Sequence, residues 1–150
     1  MVQKIKRGIG LLVILSFLLS ACSDRFIYRK SLNEFSQSFL KANLEEDMDA
    51  MISLYATNGL KKTDLAILKT ALSFEIGLPI QTIGFEELTG APEESIAYEH
   101  DGIEYGVSLT PRLRMHVIYA VEGQFTSKFS IGRTSKKEWK IITAVPEDKN

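Results

Sequence analysis

The chain has 150 residues, 45% hydrophobic and 25% charged, with a formal net charge of −1; these are the values of an ordinary globular protein and exclude a disordered tail, a collagen-like rod and a multi-span membrane protein. The averages join two unlike pieces. Three of the 18 basic residues and none of the 19 acidic ones fall in the first 21 positions, so the remaining 129 residues carry a net charge of −4, which disfavours a nucleic-acid partner.

Lys4, Lys6 and Arg7 precede an apolar run of 13 residues from Ile9 to Ala21, interrupted only by Gly10, Ser16 and Ser20. A membrane-spanning helix needs about 20 apolar residues. A block of roughly 7–15 behind a basic start is instead the hydrophobic region of a secretory signal peptide. Leu19-Ser20-Ala21-Cys22 resembles the lipobox of bacterial lipoproteins. That resemblance covers residues 1–22. It implies that residues 1–21 are a lipoprotein signal peptide and that Cys22 is the lipidation site, joined to a diacylglyceryl group with palmitate-like chains and exposed as the new amino terminus. The alternative is a stray thiol beside an ordinary signal peptide or a short membrane anchor.

Each buried acyl CH₂ contributes ~0.8 kcal/mol, so two or three chains would anchor the protein almost permanently in the cell envelope. Lipoproteins held at the inner membrane of diderm bacteria resemble one another in carrying aspartate after the cysteine; here that residue is Ser23, which implies the periplasmic face of the outer membrane. In a single-membrane bacterium the same signal implies the outer face of the plasma membrane. Cys22 is the only cysteine, so no disulfide staples the fold and stability must come from the core. Residues 22–30 are expected to be a lipidated tether. Its Arg25, Arg29 and Lys30 either touch head groups or begin a helix with their charges in water.

Residues 31–150 are expected to form a single α+β domain. Ser31-Leu32-Asn33-Glu34 matches a capping box and predicts a helix start, followed by Leu32, Phe35, Phe39 and Leu40 on one face. After a polar break at Asn43 to Asp47, Met48, Met51, Ile52 and Tyr55 recur at helical spacing until Asn58-Gly59. Thr63 is placed to cap a third helix carrying Leu65, Leu68, Leu72 and Ile76, ending at Gly77.

The period then changes from helical to alternating. Ile80 to Leu88 reads as a strand, Gly90-Ala91-Pro92 as a loop, and the runs ending at Tyr98 and starting at Ile103 as strands joined by a tight turn at His100-Asp101-Gly102. Pro111 interrupts the pattern. Leu113 to Val121 and Phe125 to Ile131 form a pair around Glu122-Gly123, and a last strand runs from Glu138 to Val145. Helices followed by antiparallel strands give an α+β class, with amino-terminal helices packed on a bent antiparallel sheet of about four to six strands.

The helix pair from Phe39-Leu40-Lys41-Ala42 to Leu54-Tyr55-Ala56, with the closing Trp139-Lys140-Ile141 strand, resembles the nuclear transport factor two-like, or cystatin-like, superfamily over roughly residues 31–146. The resemblance implies a helical layer on a strongly bent sheet, often enclosing a pocket. In some enzymes of that superfamily a carboxylate inside the cavity moves a proton.

No catalytic constellation or cofactor motif is assigned. The chain has no Gly-x-Ser-x-Gly, Walker or Gly-x-Gly-x-x-Gly motif, and with only His100 and His116 and no free thiol no metal site is expected. Arg112, Arg114 and His116 alternate along one strand as a cationic stripe. The stripe is either a receptor for a carboxylate, a phosphate or an acidic partner, or the solvated side of a sheet whose other side carries Leu113, Met115 and Val117. Glu75 and Glu104 are the acid/base candidates, because a carboxylate in an apolar pocket has its pKa raised. Tyr98, Tyr105, Tyr119, Phe125, Phe129 and Trp139 line either a pocket, a protein contact or simply the core.

The expected function is that of a membrane-tethered binding domain, non-enzymatic, for a protein partner or a small apolar ligand. A pocket enzyme with a carboxylate general acid/base, and an envelope-assembly or secretion accessory protein, are the alternatives.

Overall fold

The computed structural model describes residues 27–94 and 96–147. The expected signal peptide and Cys22 lie outside the described residues. Contacts divide the chain into two units, Met1–Glu34 and Phe35–Asn150. In the first unit residues 27–34 are helical, including the end of the expected tether. The capping box is therefore not a helix start: Ser31 lies within helical residues, and its hydroxyl donates to the Tyr28 carbonyl at 2.8 Å, the back-bonding that a serine makes inside a helix.

The second unit is α+β, with the helices packed on an antiparallel sheet as expected. It opens with helical residues 35–44 (α1), which bury Phe35, Phe39 and Ala42. Asn43 is buried too. It belongs to the helix rather than to a polar break, and the break proper is 45–47, where Glu46 takes a left-handed φ of 52°.

Asp47 then caps α2 (Met48–Ser53), its Oδ1 accepting from the Ala50 amide at 2.9 Å. This helix stops six residues short of Gly59. Tyr55 has left the helix and forms a parallel bridge with Ile141, flanked by Ala56 N donating to Ile141 O and Ile141 N donating to Leu54 O, both at 2.8 Å.

Helix α3 (Lys62–Leu72) is capped by Lys61 rather than Thr63, with the Lys61 amide donating to Asp64 Oδ2 at 3.3 Å. It ends at Leu72. Residues 73–77 are turns that close at Gly77, whose φ of +84° only glycine adopts without strain.

Seven strands follow among the described residues. The four-stranded sheet has the order β1 (Ile80–Glu87), β4 (Pro111–Tyr119), β5 (Thr126–Arg133), β6 (Trp139–Ile141); the three-stranded sheet has the order β2 (Tyr98–His100), β3 (Ile103–Val107), β7 (Ala144–Pro146). All named pairings are antiparallel. The expected tight turn is shorter than His100-Asp101-Gly102: His100 pairs with Ile103 as the end of β2, leaving a two-residue turn with Asp101 and Gly102 both at positive φ. Pro111 starts β4 rather than interrupting the pattern, and a register shift follows it before Leu113.

The last predicted strand is two. After Ile141 the chain turns a corner at Ile142-Thr143 and enters the other sheet as β7. Ile142 N donates to Ser130 O, and Ser108 and Thr143 exchange bonds through Ser108 N to Thr143 O and Thr143 N to Ser108 Oγ, all within 2.9–3.0 Å.

The core lies between the helices and one face of the four-stranded sheet. Leu113, Met115, Val117 and Tyr119 alternate inward along β4, with Met115 and Val117 fully buried, and Phe39, Met51, Tyr55 and Leu72 are buried on the helical side. Phe129 joins the two layers, its ring centroid 6.0 Å from Phe39 and 6.4 Å from Tyr55, the latter edge-to-face.

Candidate functional site

Between α3, the β5–β6 end of the larger sheet and the β2–β3 hairpin lies a cavity of about 530 Å³, within the range of small-molecule sites. Leu60, Leu68, Ala71 and Leu72 form one wall; Phe129, Ile141 and Ile142 form the floor; Tyr105 of the second sheet and Ile96, just before β2, complete the lining. Exposed Ile67 and Tyr98 stand at the mouth, and Tyr98 stacks on Tyr105 at 4.8 Å.

The polar end is built from residues far apart in sequence. Leu72 ends α3, and the following turns bring Glu75 to the cavity wall, where Tyr119 Oη donates to its Oε2 at 3.0 Å. Tyr119 also bonds Ser127. Tyr55 lines the same cavity and is 6% exposed, yet its hydroxyl makes no hydrogen bond to any described residue. Burial, and then the negative charge of Glu75, push the Tyr55 hydroxyl well above its ordinary pKa of 10.0; Tyr119 is raised by the same two causes and by its bond to Glu75. Both tyrosines therefore remain protonated, as hydrogen-bond donors, at neutral pH.

Asn43 fixes the turn that presents Glu75. Its Nδ2 donates to Leu78 O at 2.8 Å, and its Oδ1 accepts from Gly77 N at 3.2 Å, so the end of α1 holds the residues immediately after Glu75.

The cationic stripe is elsewhere. On β4, Arg112, Arg114 and His116 point away from the core, opposite to Leu113 and Met115. His116 Nε2 lies 2.6 Å from Glu86 Oε1, with side chains 23% and 58% exposed, and Glu86 also stands opposite Arg114 in the β1–β4 register. His100 Nε2 is 3.4 Å from its exposed neighbour Asp101, and His100 reaches the cavity margin. Glu104 is exposed on β3, opposite Glu99. Of the sequence candidates the cavity gathers Glu75 with Tyr98, Tyr105 and Phe129; Trp139 packs in the core beneath Arg133, whose guanidinium lies 5.4 Å from its ring. Sequence reasoning read Tyr55 only as a core position on a helix. Its place on the cavity lining depends on a bridge to Ile141, which no local pattern encodes.

A second cavity, of about 570 Å³, is lined by Asp49 of α2 and by loop residues including Asn58, Ser135 and Lys136. Lys140 Nζ, on its lining, donates to Ser53 O at 2.6 Å. It lacks the continuous apolar wall of the first. Among the described residues, no cluster of three or more His, Cys, Asp or Glu side chains is placed to hold a metal ion, and no helix is long and apolar enough to cross a membrane. Comparison with protein-family models, with curated proteins and with solved structures gives no match.

Proposed function

We propose that the chain is an extracytoplasmic lipoprotein, tethered to the membrane through Cys22, whose α+β domain binds a small apolar ligand without transforming it. The observation that carries the ligand reading is the apolar cavity between α3 and the two sheets, with the Glu75 carboxylate on its lining. Apolar walls supply affinity, and a few fixed polar groups supply orientation. The address rests on the basic start, the short apolar run and the lipobox-like Leu19-Ser20-Ala21-Cys22. The Arg112, Arg114 and His116 stripe is less favoured as a ligand site, because it lies on the other face of β4 with Glu86 among its cations.

Native mass spectrometry of the full chain, purified gently from its own membranes, tests the reading. A reproducible small-molecule adduct that disappears in Ala71→Trp, which fills the cavity from α3, is the expected result. Wild type and variant each appearing bare, at the mass of its own lipidated chain and without an adduct, would refute it.

A second reading, a pocket enzyme, is favoured by one observation: Glu75 is a carboxylate at the cavity wall with a tyrosine donating to it. Its signature would be an adduct whose mass changes with time in the wild type and stays constant in Glu75→Gln.

A further inference from the structure

Resting on the binding reading above, we infer that the ligand of the cavity is a short extended peptide, which adds a strand to the free edge of β5. Three consecutive residues of β5, Lys128, Phe129 and Ser130, line the cavity. Side chains alternate between the two faces of a strand, so consecutive residues meet a cavity along the strand's edge. Tyr119 N donates to Phe125 O and Ile142 N donates to Ser130 O, which fixes the polarity of that edge: odd-numbered residues turn their backbone groups toward β4 and even-numbered ones away from it. On the far side β6 reaches only to Ile141 opposite Ile131, because the chain then turns into the other sheet. Among the described residues no other strand continues along β5, so Thr126 and Lys128, both exposed, each offer an N–H and a C=O without a strand partner. The cavity occupies the place of a missing strand.

An extended peptide matches such an edge because its own backbone presents a donor and an acceptor on one side at every second residue, the spacing of Thr126 and Lys128. The register also sets its side chains. Peptide residues opposite Ser127 and Phe129 share the face that Phe129 turns to Phe39 and Tyr55, beside the wall of Leu68, Ala71 and Leu72, and are therefore apolar. The residue between them lies opposite Lys128, on the other face, where β4 sets His116 beside Lys128; an acidic residue suits that position.

Fluorescence anisotropy tests the inference on the full chain reconstituted in phosphatidylcholine nanodiscs. The probe is Thr-Val-Glu-Val-Thr-amide with a fluorophore on its amino terminus. Methylating the Glu nitrogen, which faces β5, should weaken binding about tenfold or more, whereas methylating the nitrogen of the Val after it, which faces away, should change it twofold or less. Lys128→Glu, at an exposed position, should reverse the preference for Glu over Lys at the centre of the peptide, by about threefold in each direction. Equal affinity for the two methylated peptides would overturn strand pairing, and so would failure of the unmethylated probe to bind. In either case the small-molecule adduct in the native mass spectrum decides separately whether the cavity-binding reading stands.

Discussion

The Asn43 side chain donates to the Leu78 carbonyl at 2.8 Å, 35 residues along the chain, and its own oxygen receives the Gly77 amide. One buried amide thus ties the end of α1 to the turn that carries Glu75. Asn43→Ala would leave the Leu78 carbonyl without that donor, in a place with little access to water, at a cost of roughly 1–3 kcal/mol. A urea melt should show a lower midpoint with an unchanged slope, and the small-molecule adduct in the native mass spectrum should weaken with it.

Tyrosine titration reports the polar end directly. Of the five tyrosines, Tyr55 and Tyr119 are raised above 10.0, first by burial and then by the Glu75 charge, so they bind protons more tightly folded than unfolded. Stability should therefore be complete below about pH 10 and decline as the pH rises beyond it, where the unfolded tyrosines ionise first. Absorbance at the phenolate band should show these two ionising only with unfolding. In Glu75→Gln they should titrate earlier.

The pair of His116 and Glu86 is half in solvent, and a double-mutant cycle with His116→Gln and Glu86→Gln should give a coupling of only about 0.2–1 kcal/mol. Arg112→Ser, on the same face and exposed, should leave both stability and the small-molecule adduct unchanged. A loss of the adduct in that variant would point to the stripe after all.

Gly132 lies where the chain before β4 crosses β5. A Cβ there would sit 2.6 Å from the Thr110 carbonyl oxygen and 3.2 Å from Leu109 Cβ, both on the same short connection. Gly132→Ala should therefore destabilise by about 1–3 kcal/mol through forced backbone movement. Thermal melting would show it. Gly84→Ala, with open space around its Cβ, is the matched control.

The envelope address makes its own prediction. Cys22→Ala should abolish incorporation of labelled palmitate and leave the unprocessed chain at its full length. Continued incorporation would remove Cys22 as the acceptor.

Much of the fold was readable because it is written in local periods. The alternation of Leu113, Met115, Val117 and Tyr119, and the Asp101-Gly102 turn, carry their geometry in a few adjacent residues. What was misread depended on distant partners. Tyr55 keeps helical spacing with Met48, Met51 and Ile52, yet Ile141, 86 residues later, draws it into an extended bridge. Glu75 was legible as a candidate acid but was assigned to a helix, since only Asn43 reveals that Gly77-Leu78 is held as a turn. The cationic stripe was legible as an alternation, while Glu86 arrives from a strand whose register a sequence does not print. Ser31 matched a start signal, but the residues before it are already helical.

At Ile142-Thr143 a single stretch of chain leaves one sheet and enters the other, and there it is stitched to β5 through Ser130, to the β3–β4 connection through Ser108, and to the segment after α2 through Thr143 Oγ1 on Ala56 O at 2.6 Å. Floor and far wall of the cavity are consequently consecutive links of one cable, clamped at three points. Neither can peel away by itself. Opening wide enough to lose the cavity means releasing all three clamps together, so hydrogen exchange at the Ile142 and Thr143 amides should proceed only through global unfolding, as slowly as at the slowest amides of β4.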